Sequence, residues 1–225
     1  MIFAHRVMHA PWSLLLLLLL VSAPSAWAID AAAIAQQGNG RGAPACQACH
    51  GADGGGQPAA GFPRLAGLNA AYLHKQLDDL ASGARGSAVM QPIATALSEA
   101  ERTAMAGYYS ALPIPAALAR PGTPMPAADS VGAQLALRGR WSQQVPACVQ
   151  CHGPGGVGVG GHFPPLAGQS ATYIAAQLKA WQQGTRHNDP LQLMQHISHA
   201  LSEQDIAAVA GWFAAQPLPA AGAAP

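Results

Sequence analysis

One pattern, present twice, constrains this chain more than anything else in it: Cys46-Gln47-Ala48-Cys49-His50 and Cys148-Val149-Gln150-Cys151-His152. Two thiols three positions apart on one helical turn are spaced to add to the two vinyl groups along one edge of a haem. The adjacent His is then placed to ligate the iron. All four cysteines of the chain fall within the two motifs, so no thiol is left over for a disulfide. Two other chemistries use the same letters. A redox dithiol needs no following His and is seldom duplicated. A four-thiolate zinc site would join motifs about a hundred residues apart and leave both histidines unused. The reading is two covalently bound haem c groups, with Cys46, Cys49, Cys148 and Cys151 as attachment points and His50 and His152 as iron ligands.

The start of the chain agrees with that chemistry. Arg6 precedes an unbroken apolar run from Leu14 to Val21, and Ala26-Trp27-Ala28 has the small-x-small form of a cleavage site. Residues 1–28 therefore read as a cleaved signal peptide, and the mature chain as periplasmic, where c-type haem is attached. The run is short of the ~20 residues a spanning helix needs, and no later stretch is apolar enough to span a membrane. Charged residues are sparse, at 9%, and balanced: six acids and six bases from Asp30 to Arg120, four and four from Pro121 to Pro225. Neither half carries a basic field suited to nucleic acid or anionic lipid.

Aligned on itself, the chain is a duplication. Phe62-Pro63-Arg64-Leu65-Ala66-Gly67 returns as Phe163-Pro164-Pro165-Leu166-Ala167-Gly168, and Tyr72, Gln76 and Leu77 return as Tyr173, Gln177 and Leu178. Gly83-Ala84-Arg85 matches Gly184-Thr185-Arg186. After a three-residue insertion in the second copy, Leu97-Ser98-Glu99 matches Leu201-Ser202-Glu203 and Gly107-Tyr108-Tyr109 matches Gly211-Trp212-Phe213. Domains are expected at 29–112 and 129–217. Between them lies a Pro-rich linker over 113–128, and a loose tail follows over 218–225.

Each copy reads as all-α. A first helix covers Ala31 to Gln37, with its counterpart over Val131 to Arg138. A second starts after the capping residue Asn69 or Ser170, with Leu73, Leu77 and Leu80, or Ile174, Leu178 and Trp181, at helical spacing. A third opens with the capping box Ser98-x-x-Glu101 or its relative Ser202-x-x-Asp205, and is expected to bury Met105, Tyr108 and Leu112, or Val209, Trp212 and Phe213.

The second axial position of each iron decides between electron transfer and chemistry on a bound substrate. Met90 lies eight residues before Ser98, and Met194 lies eight before Ser202. Matched positions in both copies make these two the expected axial ligands, each in a loop after the second helix. Met105 has Val209 as its counterpart and is expected in the core. His187, His196 and His199 are rivals near Met194 without histidine partners in the first copy. Arg64, Tyr72 and Tyr173 are expected propionate contacts, with Arg85 and Arg186 as weaker candidates.

Taken together, the two Cys-x-x-Cys-His-Gly motifs, the repeated Phe-Pro-x-Leu-Ala-Gly and Tyr-x-x-x-Gln-Leu, and the paired methionines make the chain resemble the dihaem class I cytochromes c of the cytochrome c4 type. The resemblance covers nearly all of the mature chain. It implies two tandem class I cytochrome c domains related by a pseudo-twofold, with haem edges facing across the interface. It implies ligation of the irons by His50 with Met90 and His152 with Met194. It further implies a periplasmic single-electron carrier without catalysis of its own, fed by a donor such as a quinol-oxidising complex and donating to an acceptor such as a cbb3-type oxidase. The alternative is an electron-accepting subunit of a periplasmic dehydrogenase complex.

Overall fold

The duplication in sequence is a duplication in space. The computed structural model describes residues 29–116 and 127–218, so the expected signal peptide, most of the linker and residues 219–225 of the tail lie outside the described residues. The first copy holds α1 (Ala31–Gln37), α2 (Gln47–His50), α3 (Ala70–Ser82), α4 (Met90–Ala96) and α5 (Glu99–Ala111). The second holds α6 (Val131–Leu137), α7 (Val149–His152), α8 (Ala171–Gln182), α9 (Leu193–His199) and α10 (Glu203–Ala214). Among the described residues there is no strand, only four isolated bridges.

Local chemistry sets the boundaries. Asn69 Oδ1 accepts from the N–H groups of Ala71 and Tyr72, and Ser170 Oγ from that of Tyr173, which satisfies donors that open α3 and α8. Ser98 with Glu101, and Ser202 with Asp205, each form a complete capping box at the start of α5 and α10. Gly83 ends α3 in the left-handed conformation.

The long helices carry the core. α5 packs on α1 and α3, burying Ile34, Leu73, Met105 and Tyr109; α10 packs on α6 and α8, burying Leu135, Ile174, Val209, Trp212 and Phe213. Gly132 permits the second crossing: a Cβ there would stand 2.3 Å from the Ala208 carbonyl oxygen of α10. Two expectations are corrected. Tyr109, one turn on from Met105, is the buried tyrosine of α5, while Tyr108 and Leu112 are half-buried. Met90 and Met194 are not in loops; they are the first residue of α4 and the second of α9, each a seven-residue helix. Neither helix is announced by a capping residue: Val89 and Gln192 immediately precede them, where Asp30 and Ser130 cap the equally short α1 and α6.

Candidate functional site

The Cys-x-x-Cys-His turns form α2 and α7, and the Phe-Pro repeats orient their histidines. His50 Nδ1 lies 3.0 Å from the Pro63 carbonyl oxygen, and His152 Nδ1 lies 2.7 Å from that of Pro164. A carbonyl oxygen only accepts, so Nδ1 carries the proton in both rings and Nε2 keeps its lone pair for a metal. Burial lowers both imidazole pKa values below the ordinary histidine value, against the opposing pull of those carbonyls, which favours the neutral, ligating form. Phe62 and Phe163 hold the rings from the side at centroid distances of 6.3 and 6.2 Å.

The thiols have the wrong electrostatics for a redox dithiol. Burial raises Cys46 above the usual thiol value and pushes Cys148 up to about 11, whereas a redox-active cysteine needs a lowered one. None of the four cysteines is paired in a disulfide. Among the described residues no cluster of three or more His, Cys, Asp or Glu side chains is arranged to hold a metal ion, so the two motifs do not share a zinc site.

A single, mostly apolar cavity runs from one copy into the other. Its walls include His50 and Met90 from the first copy, His152 and Met194 from the second, and Arg64, Tyr72 and Tyr173 between them. Cys46 and Cys49 also line it; Cys148 packs against the second core, its thiol 3.6 Å from the Leu135 carbonyl oxygen, and Cys151 is half-buried on the same turn. His187, His196 and His199 are exposed and do not line it; His196 and His199 border a separate shallow depression beside Leu191.

The seam of the cavity is built from paired residues. Arg85 and Arg186 bridge antiparallel across the interface, flanked by Gly86 N–H to Thr185 O at 2.7 Å and His187 N–H to Ala84 O at 3.0 Å. A residue that meets its own counterpart in this way marks the pseudo-twofold axis. Arg85 donates to Gln76, Gln177 and the Tyr173 hydroxyl, and Arg186 donates to Gln177 and Gln76. The Gln169 side chain pairs with both the N–H and the carbonyl of Arg64, each at 3.1 Å. Sequence reasoning missed the roles of Gln76, Gln177 and Gln169. The signal available was the duplicated glutamine on an otherwise apolar face.

Arg64 is 2% exposed, its Nε has no partner, and burial pushes its guanidinium down to about 10. Among the described residues none of Arg64, Arg85 and Arg186 forms an ion pair, although all three line the cavity. Two buried cations, Arg64 and Arg186, beside the half-buried Arg85, all without counter-ions among the described residues, are costly unless an anion completes the site. A haem, with an apolar ring and two propionates, fits both the walls and the charge.

Comparison with known proteins agrees with the fold and the motifs. A family model described as Cytochrome c matches residues 35–112, and one described as Cytochrome C oxidase, cbb3-type, subunit III matches residues 134–213. The crystal structure of reduced recombinant cytochrome c4 from Pseudomonas stutzeri superposes with a TM-score of 0.65 at 34% identity, over 76% of this chain and 93% of that one. The chain belongs to the cytochrome c4 family of dihaem cytochromes c. It therefore carries two covalently bound haem c groups and works in electron transfer. Within this relationship it is 53% identical over 206 residues to the thiosulfate dehydrogenase electron acceptor of Stutzerimonas stutzeri (strain A1501), covering 90% of this chain and 94% of that one. It is also similar to the thiosulfate dehydrogenase TsdBA of Marichromatium purpuratum, with a TM-score of 0.76 and 46% identity over 85% of this chain and 41% of that longer one. Among the described residues no helix of this cytochrome is long and apolar enough to cross a membrane.

Proposed function

We propose that the protein is an exported, periplasmic dihaem cytochrome that accepts single electrons from a thiosulfate-oxidising dehydrogenase and passes them to a respiratory acceptor, with no catalysis of its own. The observation that carries the donor is the 53% identity over 94% of a relative named for accepting electrons from thiosulfate dehydrogenase.

Bound haem c supplies a one-electron ferric–ferrous couple at each site. His50 and His152 would ligate through Nε2, held in the required tautomer by Pro63 and Pro164. Met90 and Met194 would supply the second protein ligand to each iron, which would leave no place for a substrate. Arg64, Tyr72 and Tyr173, with Arg85 and Arg186, line the cavity and would take the propionates at the seam. The cavity is lined from both copies, which would set the two haems next to each other and let one domain receive an electron and the other deliver it.

The test is reduction of the ferric holoprotein by thiosulfate with and without a catalytic thiosulfate dehydrogenase, followed by the haem absorption bands. Both haems are expected to reduce with the enzyme present and neither with thiosulfate alone. No reduction beside a working dehydrogenase overturns this donor. Reduction by a quinol-oxidising complex in its place, with onward oxidation by a cbb3-type oxidase, would instead support the general respiratory carrier suggested by the likeness to cytochrome c4.

A further inference from the structure

The loops that lead to the two axial methionines are built differently and end on the same atom. Four residues, 86–89, separate Arg85 from Met90, whereas seven, 187–193, separate Arg186 from Met194. In the shorter loop the Met90 backbone N–H donates to Ser87 Oγ at 3.1 Å. In the longer one the Met194 N–H donates to Asp189 Oδ2 at 2.7 Å, and the Gln195 N–H reaches the same oxygen at 3.3 Å. Each copy thus uses a polar loop side chain to pin its methionine's backbone. The second copy uses a carboxylate although the other oxygen, Oδ1, is buried with no partner. A buried, idle carboxylate oxygen costs stability, so a neutral cap like that of the first copy would be the less costly choice for packing alone.

The preceding residue is anchored on the other domain. Asn188 Nδ2 donates to Gln76 Oε1 at 3.1 Å and to Asp79 Oδ2 at 2.7 Å, and its carbonyl accepts from Lys75 Nζ at 3.0 Å. Its Oδ1 accepts from Arg186 Nε at 2.9 Å. The insertion is therefore a brace with one end on α3 of the first domain and the other on the first turn of α9.

We propose that Asp189 is a positioning residue for the axial methionine of the second haem, and that Asn188 references that position to the first domain. The proposal rests on the assignment of Met194 as an iron ligand. A thioether holds ferric iron weakly, so its retention depends on the backbone that presents it. Loss of a charge-assisted hydrogen bond shifts such an equilibrium about tenfold or more.

The experiment uses the ferric holoprotein and its weak long-wavelength thioether charge-transfer band, titrated with imidazole, which displaces the thioether. M90A and M194A each remove half of the band and so assign the halves. D189A is expected to lower the imidazole concentration that displaces the Met194 half about tenfold and to leave the Met90 half in place. S87A should do the reverse, and N188A should give a smaller shift confined to the Met194 half. An unchanged D189A titration, or an equal shift in both halves, overturns the proposal. If M194A keeps the full band, the ligand assignment itself has failed. If M194A removes half the band and D189A changes nothing, only the positioning role has failed. Should D189A not fold with both haems, by circular dichroism and haem content, D189N and N188A are judged by the same criterion.

Discussion

Arg85 and Arg186 face each other across the domain boundary as antiparallel backbone neighbours, and each guanidinium reaches both Gln76 and Gln177. Two like charges, Arg186 buried and Arg85 half-buried, thereby sit side by side without an ion pair among the described residues. Two glutamine carbonyls and the Tyr173 hydroxyl absorb the donors, but they carry no compensating charge. In the proposed site the haem propionates would supply that charge. Domain docking and haem loading are then one event, because the same arginines serve both.

Replacing Arg85 by Ala tests that coupling. The change removes three part-buried hydrogen bonds and leaves the Tyr173 hydroxyl and the Gln177 carbonyl each short of a donor. The expected cost is about 3 kcal/mol, concentrated at the interface. Chemical unfolding of the holoprotein, followed at the haem bands, should separate into two transitions. A single transition at the wild-type midpoint would refute the claim that this pair couples the domains.

Arg64 gives an electrochemical prediction. Its guanidinium is buried, lacks an ion pair among the described residues, and is pushed down to about 10 by desolvation. If a propionate is its partner, Arg64→Leu leaves that anion uncompensated and favours the ferric state. The potential of one haem should fall by about 60 mV, a tenfold change for a one-electron couple. Potentiometric titration decides it, and unchanged potentials at both haems would remove Arg64 from the propionate site.

What could be read from the sequence divides by the range of the interaction. The capping residues Asn69, Ser98, Ser170 and Ser202 were legible because a cap and its target lie within three residues. The Cys-x-x-Cys-His turns were legible for the same reason. The role of Pro63 and Pro164 was not: the Phe-Pro repeat was plain, but only folding brings each carbonyl to a histidine 12 or 13 residues away. The Arg–Gln seam joins residues about a hundred apart, and no local signal encodes such a pairing. α4 and α9 escaped because no capping side chain stands immediately before them, whereas Asp30 and Ser130 cap the equally short α1 and α6.

Two glycines in the first copy should respond in opposite directions to alanine. Gly56 has φ +83°, its N–H donates to the His50 carbonyl at 2.8 Å, and a Cβ would stand 2.6 Å from the Phe62 carbonyl oxygen. Backbone cannot yield at that distance without moving Pro63, whose carbonyl orients His50. Gly56→Ala is expected to cost about 3 kcal/mol or more and to lower haem content in the first site. Gly107 lies inside α5, and an added methyl there would meet nothing within 4 Å, so Gly107→Ala should stabilise by about 0.5–1 kcal/mol. Denaturation midpoints and haem-to-protein ratios of the two variants check both signs.

The second domain should carry an acid-sensitive latch. Arg140 forms a bidentate pair with Asp205, at 2.9 and 2.7 Å, and Asp205 also closes the capping box of α10 with Ser202. The Arg140 guanidinium, against the smaller opposing effect of burial, holds the Asp205 carboxyl well below the usual carboxylate range, and the Ser202 hydrogen bonds add to it. A carboxyl lowered in the folded state binds its proton more readily when unfolded. Its contribution is therefore complete above the unfolded value near 3.9 and is lost as pH falls from roughly 5 towards the folded value. Asp205→Asn should destabilise the second domain by about 2 kcal/mol at pH 7 and flatten its pH dependence below pH 5. Urea unfolding at pH 7, 5, 4 and 3 measures both effects. If the variant loses stability on acidification as steeply as the wild type, the latch is not Asp205.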